Sequence, residues 1–467
     1  MRSVRPHLAR LVEWIVVGAV LMFSYSRGLD RVSFHEDESL WIACSLYFEA
    51  AGDEDFVPPE WFRESVRGTT PALTDRGEGG AGETWTSRLT WGPHYFSLDQ
   101  PPVARYLIAI GRRLHGYETA DLNRPWKFDL GPDENARLGN KPSPGLLRAA
   151  RRSTAALSFA SGLVLYGLVR RSAGRVAGFL FVFLYSTSGY LLVHLRRAMG
   201  DPALLFFTCL AMWAGTRALR VRDEAPEGAL GGGVFRILAW LAAMGVAAGL
   251  AGGSKLNGLA VAVAGAVLAC VLAFGGRGFG RGWRRLAFAA GASLLVLGSC
   301  AATFVAVNPS LHRRPVAHVT AMLELRAREL AGHQRDPRWG LSTVSRRILV
   351  VAGRTLKTYT VTRVATLNVL LGGLGLLFLL RATWRWTKDG SGPAAAVVLL
   401  SVGIFTAGPA LMTPLDWDRY YLYPVVFLTV LIAVGAATGP GEIRRFLAAR
   451  AEAAHARRGM GAREGAP

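Results

Sequence analysis

IVVGAVLMFSYSRGLDRVSFHEDESLW, Ile15 to Trp41, contains the first clear statement of what kind of chain this is. An apolar run over 11–27 is long enough to cross the hydrocarbon core of a bilayer. Seven residues beyond it, FHEDESLW (Phe34–Trp41) sets one histidine and three carboxylates beside what would be a membrane surface. Acid at that place needs a reason. The reason depends on which side of the membrane the segment lies and on what else lies there.

Further apolar runs recur near 150–169, 174–193, 202–219, 235–252, 256–274, 286–306, 361–380, 393–412 and 420–438. The chain of 467 residues is 51% hydrophobic, and its mean hydropathy is +0.26. A soluble protein is rarely so apolar, and here the apolar residues are gathered into spans. The expected fold is an all-α polytopic membrane protein with about ten transmembrane helices. No small-residue cleavage site stands out after the first run, so it is expected to remain as a helix.

A formal net charge of +21 could suggest nucleic acid, but its distribution argues otherwise. Arg2, Arg5 and Arg10 precede the first span, and Arg170, Arg171 and Arg175 sit between the second and third. Arg217, Arg220, Arg222 and Arg236 follow, then Arg277, Arg281, Arg284 and Arg285, then Arg381, Arg385 and Lys388, then the tail. Alternate loops carry the charge, which is the positive-inside bias. Both termini are expected in the cytoplasm, and no nucleic acid is required. The four cysteines show neither a disulfide framework nor a metal-type spacing.

Three outer regions follow from this topology: 28–149, 307–360 and the short turn before the last span. In the first, Leu40, Trp41, Cys44, Tyr47 and Phe48 recur at helical spacing, as on a helix lying along the membrane interface. SLDQPPVARYLIAIGRRLHG opens a second apolar-faced helix, with Asp99 before it and Pro101 and Pro102 in its first turn. The tail 439–467 reads as a basic cytoplasmic extension.

The polar residues of these loops form one set: Asp37, Glu38, Asp99, His194, Arg196, Arg197, Asp201, Lys255, Asn308, His333, Gln334, Asp416, Asp418, Arg419 and Tyr420. Each has a plain structural explanation. Asp37 and Glu38 suit a helix amino terminus, Asp99 an N-cap, Arg197 snorkelling, Asn308-Pro309 a turn and Tyr420 an interfacial aromatic belt. Lys255 is less easily explained. It is one of five lysines against 49 arginines and lies between two apolar runs, where an unpaired charge is costly. Taken together, carboxylates and cations on one membrane face suit a reaction on a lipid-linked phosphate.

The order of these pieces resembles the GT-C glycosyltransferases of the protein O-mannosyltransferase and lipid A aminoarabinose transferase type. Asp37-Glu38 before SLWIACSLYFEA is similar to the family's Asp-Glu pair, and DQPPVARYL to its Pro-Pro element, with Gln100 where His or Lys is common. HLRRAMGDPALLFF carries Arg197 and Asp201 in an Arg-x-x-x-Asp turn, and GLAGGSKLNGL holds Lys255. AVNPSLHRRP and DRYYLYPV resemble the opening of the second large outer loop and the closing Arg-Tyr-Tyr element.

The resemblance implies a GT-C fold over 1–438 with catalytic carboxylates in 28–149. It implies transfer of a hexosyl or pentosyl group from a polyprenyl-phosphate-linked sugar, with inversion, to an acceptor hydroxyl on a protein, glycolipid or glycan. The active site would face the periplasm or exterior from the inner (plasma) membrane. Asp37 would be the general base, with Glu38 and Asp99 orienting hydroxyls. Lys255, Arg197 and Arg419 would meet the phosphate, Asp201 would position one of these cations or the sugar, and Asn308 and Tyr420 would bind substrate. No cofactor is required; a divalent metal is compatible with the carboxylates but no metal ligand is assigned. The alternative is a transporter or flippase of a lipid-linked sugar, which would favour paired halves and charges near mid-membrane.

Overall fold

The computed structural model describes residues 4–53, 55–67, 100–224, 230–274, 282–360, 362–389, 393–441 and 443. Asp99, most of the insert before it and nearly all of the basic tail lie outside these residues. Among the described residues all regular structure is helical, with one isolated bridge between Gly340 and Leu415.

The chain enters through α1 (Val4–Ser26) and then forms short helices: α2 (Glu36–Ala43), α3 (Tyr47–Gly52), α4 (Glu60–Arg67), α5 (Val103–Arg113) and α6 (Pro132–Arg137). None of these five is long enough to span a bilayer. Long helices follow. α7 (Pro144–Thr187) leads into α8 (Gly189–His194), and then come α9 (Gly200–Glu224), α10 (Leu230–Ser254), α11 (Ala260–Phe274) and α12 (Trp283–Ala306). The second outer region holds α13 (Pro315–Gln334) and α14 (Val344–Gly353). α15 (Ala365–Asp389), α16 (Pro393–Met412) and α17 (Asp418–Gly441) complete the bundle.

Nine of the described helices are long and apolar enough to cross a membrane, so the chain is a multi-pass membrane protein. They coincide with the apolar runs of the sequence, except that the runs at 150–169 and 174–193 are joined in α7. The 44 residues of α7 are not one straight helix: Gly174 has φ 90° and breaks it in two. An L side chain resists that conformation, and glycine does not. The break marks the turn between two passes.

The passes pack closely where side chains are absent. A Cβ added at Gly245 of α10 would stand 2.5 Å from the carbonyl oxygen of Val296 on α12. At Gly249, one turn on, it would stand 2.6 Å from that of Cys300. This is the small-xxx-small approach by which membrane helices gain contact without a hydrophobic driving force.

Part of the first outer region turns its apolar side chains inward. The Leu40–Phe48 stretch is two short helices joined by a 3-10 turn over Cys44–Leu46, and its apolar face turns into the protein. Trp41, Cys44 and Tyr47 are buried. Arg105 of α5 lies over the rings of Trp41 and Tyr47, at 5.6 and 5.2 Å from their centroids. Helical spacing marks an apolar face but cannot say whether lipid or protein covers it.

Candidate active site

The site is built on the first turn of α2. His35 caps the helix: its Nδ1 accepts from the Asp37 amide at 3.1 Å, and its own amide donates to Glu38 Oε2 at 3.1 Å. A capping box therefore fixes where Asp37 and Glu38 stand. Their environments then diverge.

Glu38 is fully buried. Arg151 of α7, also buried, donates from Nε to Glu38 Oε1 at 2.8 Å and from Nη2 to Oε2 at 2.6 Å. The same guanidinium donates to the carbonyls of Leu29, Val32 and Ser33. Glu38 Oε1 also accepts from the Ala198 amide at 2.8 Å, which ties in the turn that carries Arg197. Glu38 is thus spent on holding three segments together.

Asp37 is half-buried and forms an ion pair with Arg419, which comes from the turn that opens α17. Arg419 also lies over the rings of Trp417 and Tyr420, at 5.0 and 5.5 Å. Its Nε is buried and bonds to nothing. Arg197 is buried and makes one hydrogen bond, from Nη2 to Ser33 Oγ at 3.1 Å; its Nε and Nη1 have no partner. Burial first draws the Arg197 pKa below the ordinary arginine range, while Glu38 and Asp418 pull the other way. The Nε and Nη1 of Arg197 and the Nε of Arg419 are buried guanidinium groups that are costly left unpaired, and an anion would satisfy them.

Around this centre the remaining partners close. His194 Nε2 lies 3.4 Å from Asp418 Oδ2. The Tyr190 hydroxyl donates to the Asp418 carbonyl at 2.5 Å. Tyr359 stacks between Tyr190 and Tyr421, with centroids 4.4 and 5.6 Å away. Asp416 is held by Arg354 at 3.0 and 2.5 Å and by the Tyr421 hydroxyl at 2.6 Å. Lys255 Nζ donates to Asp201 Oδ1 at 2.8 Å, and the Tyr423 hydroxyl to the Asp201 carbonyl at 3.0 Å. Tyr190 feels both Asp201 and Asp418, which links the Lys255 pair to the centre.

Asp37, Glu38, Arg197, Asp201, Lys255, Arg419 and Tyr420 therefore lie on elements joined by these contacts. Asn308 is buried and donates from Nδ2 to the Phe304 carbonyl at 3.2 Å, an end-of-helix bond. Asp99 is outside the described residues. Ser33, Arg151, Tyr190, Tyr359 and Arg354 were not singled out in the sequence. His35, adjacent to the acidic cluster, carried a signal. Among the described residues no three of His, Cys, Asp and Glu gather as a metal-binding set.

Residues 91–277 match the family model described as dolichyl-phosphate-mannose-protein mannosyltransferase. The match covers less than half of the chain, and over those residues the chain is similar to that family. No curated protein matches it. Among solved structures, archaeal oligosaccharyltransferase AglB from Archaeoglobus fulgidus is 14% identical, over 95% of this chain and 52% of that one, with a TM-score of 0.47. ArnT from Cupriavidus metallidurans bound to undecaprenyl phosphate is 15% identical over 92% and 60%, with 0.44. The S. cerevisiae protein O-mannosyltransferase Pmt1-Pmt2 complex bound to the sugar donor is 15% identical over 67% and 34%, with 0.41. This chain thus covers less than two thirds of each, and likenesses at these scores carry no mechanistic weight.

Proposed function

We propose that this protein transfers a glycosyl group from a polyprenyl-phosphate donor to an acceptor hydroxyl at the outer membrane face, with inversion. The observation that carries the reading is the pair Arg197 and Arg419, which both act on His35 and hold three buried guanidinium nitrogens without partners, with Arg419 ion-paired to Asp37. A phosphate accepts several such bonds at once, and both arginines are always charged.

In the reaction the acceptor O–H proton passes to Asp37 as its oxygen attacks the anomeric carbon. The new C–O bond forms on the face opposite the lipid phosphate. The bond from that carbon to the phosphate oxygen breaks, and its electron pair leaves on the phosphate. Arg197, Arg419 and Lys255 offset the charge that develops there. Arg419 has a second duty: a phosphate drawing it away from Asp37 frees the carboxylate to act as base. Glu38 positions Asp37 through Arg151. Asp99, Asn308 and Tyr420 keep their assignment to sugar or acceptor on the family resemblance, and Asp201 orients Lys255.

The test follows a labelled polyprenyl-phosphate sugar in detergent with the full chain. Release of polyprenyl phosphate coupled to acceptor glycosylation is expected, and Asp37→Asn should slow it by about 10²-fold or more. Lys255→Met should weaken binding of the phosphate product as well as slow transfer. Movement of intact donor across vesicles without release would favour the flippase reading. Undiminished turnover in Asp37→Asn would remove the base assignment.

A further inference from the structure

At the opposite end of the bundle the charge is arranged differently. Arg170 and Arg171 lie just before the Gly174 break in α7, and Arg217 and Arg220 lie on α9, three residues apart on one helix face. α7 and α9 pack together, and Arg171 feels the charges of Arg220, Arg217 and Arg170. Glu13 of α1 is the carboxylate bonded within this group, and it is taken up by Arg170, by Arg175 at 2.8 Å and by the Tyr166 hydroxyl. Among the described residues Arg171, Arg217 and Arg220 have no carboxylate partner.

Arg217 is held in place all the same. It lies over the rings of Trp213 and Trp240, at 5.7 and 5.4 Å, and the two indoles meet edge-on at 5.0 Å. A positive-inside bias asks only for net charge near the membrane and leaves long side chains spread in water. A guanidinium seated on two tryptophans between packed helices is prearranged, and tryptophan is favoured at the headgroup level.

We propose that Arg171, Arg217 and Arg220, framed by Trp213 and Trp240, bind the headgroup phosphate of an anionic phospholipid in the leaflet opposite the candidate active site. The phosphate offsets three clustered cations, and the indoles meet the glycerol and upper acyl region. The site is independent of the reaction proposed above.

Native mass spectrometry of the full chain in micelles doped with phosphatidylglycerol or phosphatidylcholine tests it. Wild type is expected to retain phosphatidylglycerol in preference. The double variant Arg217→Gln, Arg220→Gln should weaken that retention roughly 10- to 30-fold, on the usual contribution of each cation near a membrane surface. Arg236→Gln, on the same edge but outside the cluster, should leave it unchanged. Arg171→Gln, at an exposed position, should weaken it several-fold and serves if the double variant misfolds. Unchanged retention in both cluster variants, or equal loss in Arg236→Gln, would reduce the cluster to diffuse charge. Binding of sn-glycerol 3-phosphate as tight as that of the lipid would overturn the lipid assignment.

Discussion

Asp37 and Glu38 are adjacent, chemically alike, and put to opposite uses. Glu38 faces Arg151 and two backbone amides and is fully buried, whereas Asp37 meets one arginine that has other ways to bond. The residue that caps their helix is itself a titrating group outside the spans. Burial first, and then the charges of Arg197 and Arg419, bring His35 from its ordinary 6.5 down to about 4. The unfolded chain therefore takes up this proton before the folded one as pH falls. The stability contributed is complete above 6.5 and is lost as pH falls through about 4. Thermal unfolding in detergent should show wild type losing stability over that window. His35→Asn, which keeps a good N-cap acceptor, should lose less. Parallel profiles for the two proteins would show that His35 is not the group responsible.

At the scale of elements, α2 is held less by its own sequence than by α7. Eight residues are too few for an isolated helix to persist. The capping box and two bonds from Arg151 to Glu38 hold it, and three more from Arg151 fix the segment just before it. Arg151→Met would leave Glu38 charged and buried without its cation, at a cost of about 3–5 kcal/mol. The melting temperature should fall, and turnover with it, because Asp37 loses its fixed place. Adding Glu38→Gln removes the stranded charge and should restore part of the stability. A single variant as stable as wild type would mean that Arg151 does not organise the loop. In the sequence Arg151 read only as the start of an apolar run, since nothing local tells a buried arginine with a distant glutamate from a snorkelling one.

At the scale of the molecule, the alternation of passes puts the described candidate site residues at one end of the bundle and the arginine clusters at the other. In a background without native cysteines, Asp133→Cys should react with an impermeant thiol reagent in cells whose outer barrier alone is opened. Lys388→Cys should react only after lysis. The reverse pattern would invert the protein and place the proposed reaction in the cytoplasm.

The passes were legible because the bilayer reads a chain one segment at a time. An apolar run of sufficient length crosses, and the arginines between runs set its direction, whatever the rest of the chain does. The ordered motifs from Asp37 to Arg419 likewise named most of the residues that gather at the site. Which carboxylate is spent and which stays available was not legible. Asp37 meets Arg419 from the far end of the chain, Glu38 meets Arg151 from α7, and Lys255 meets Asp201 from the preceding pass. The same holds for the face of α2, which looked made for lipid and is covered by α5. A buried charge takes its role from the partner that folding brings to it, and that partner has no signature in the residues beside it.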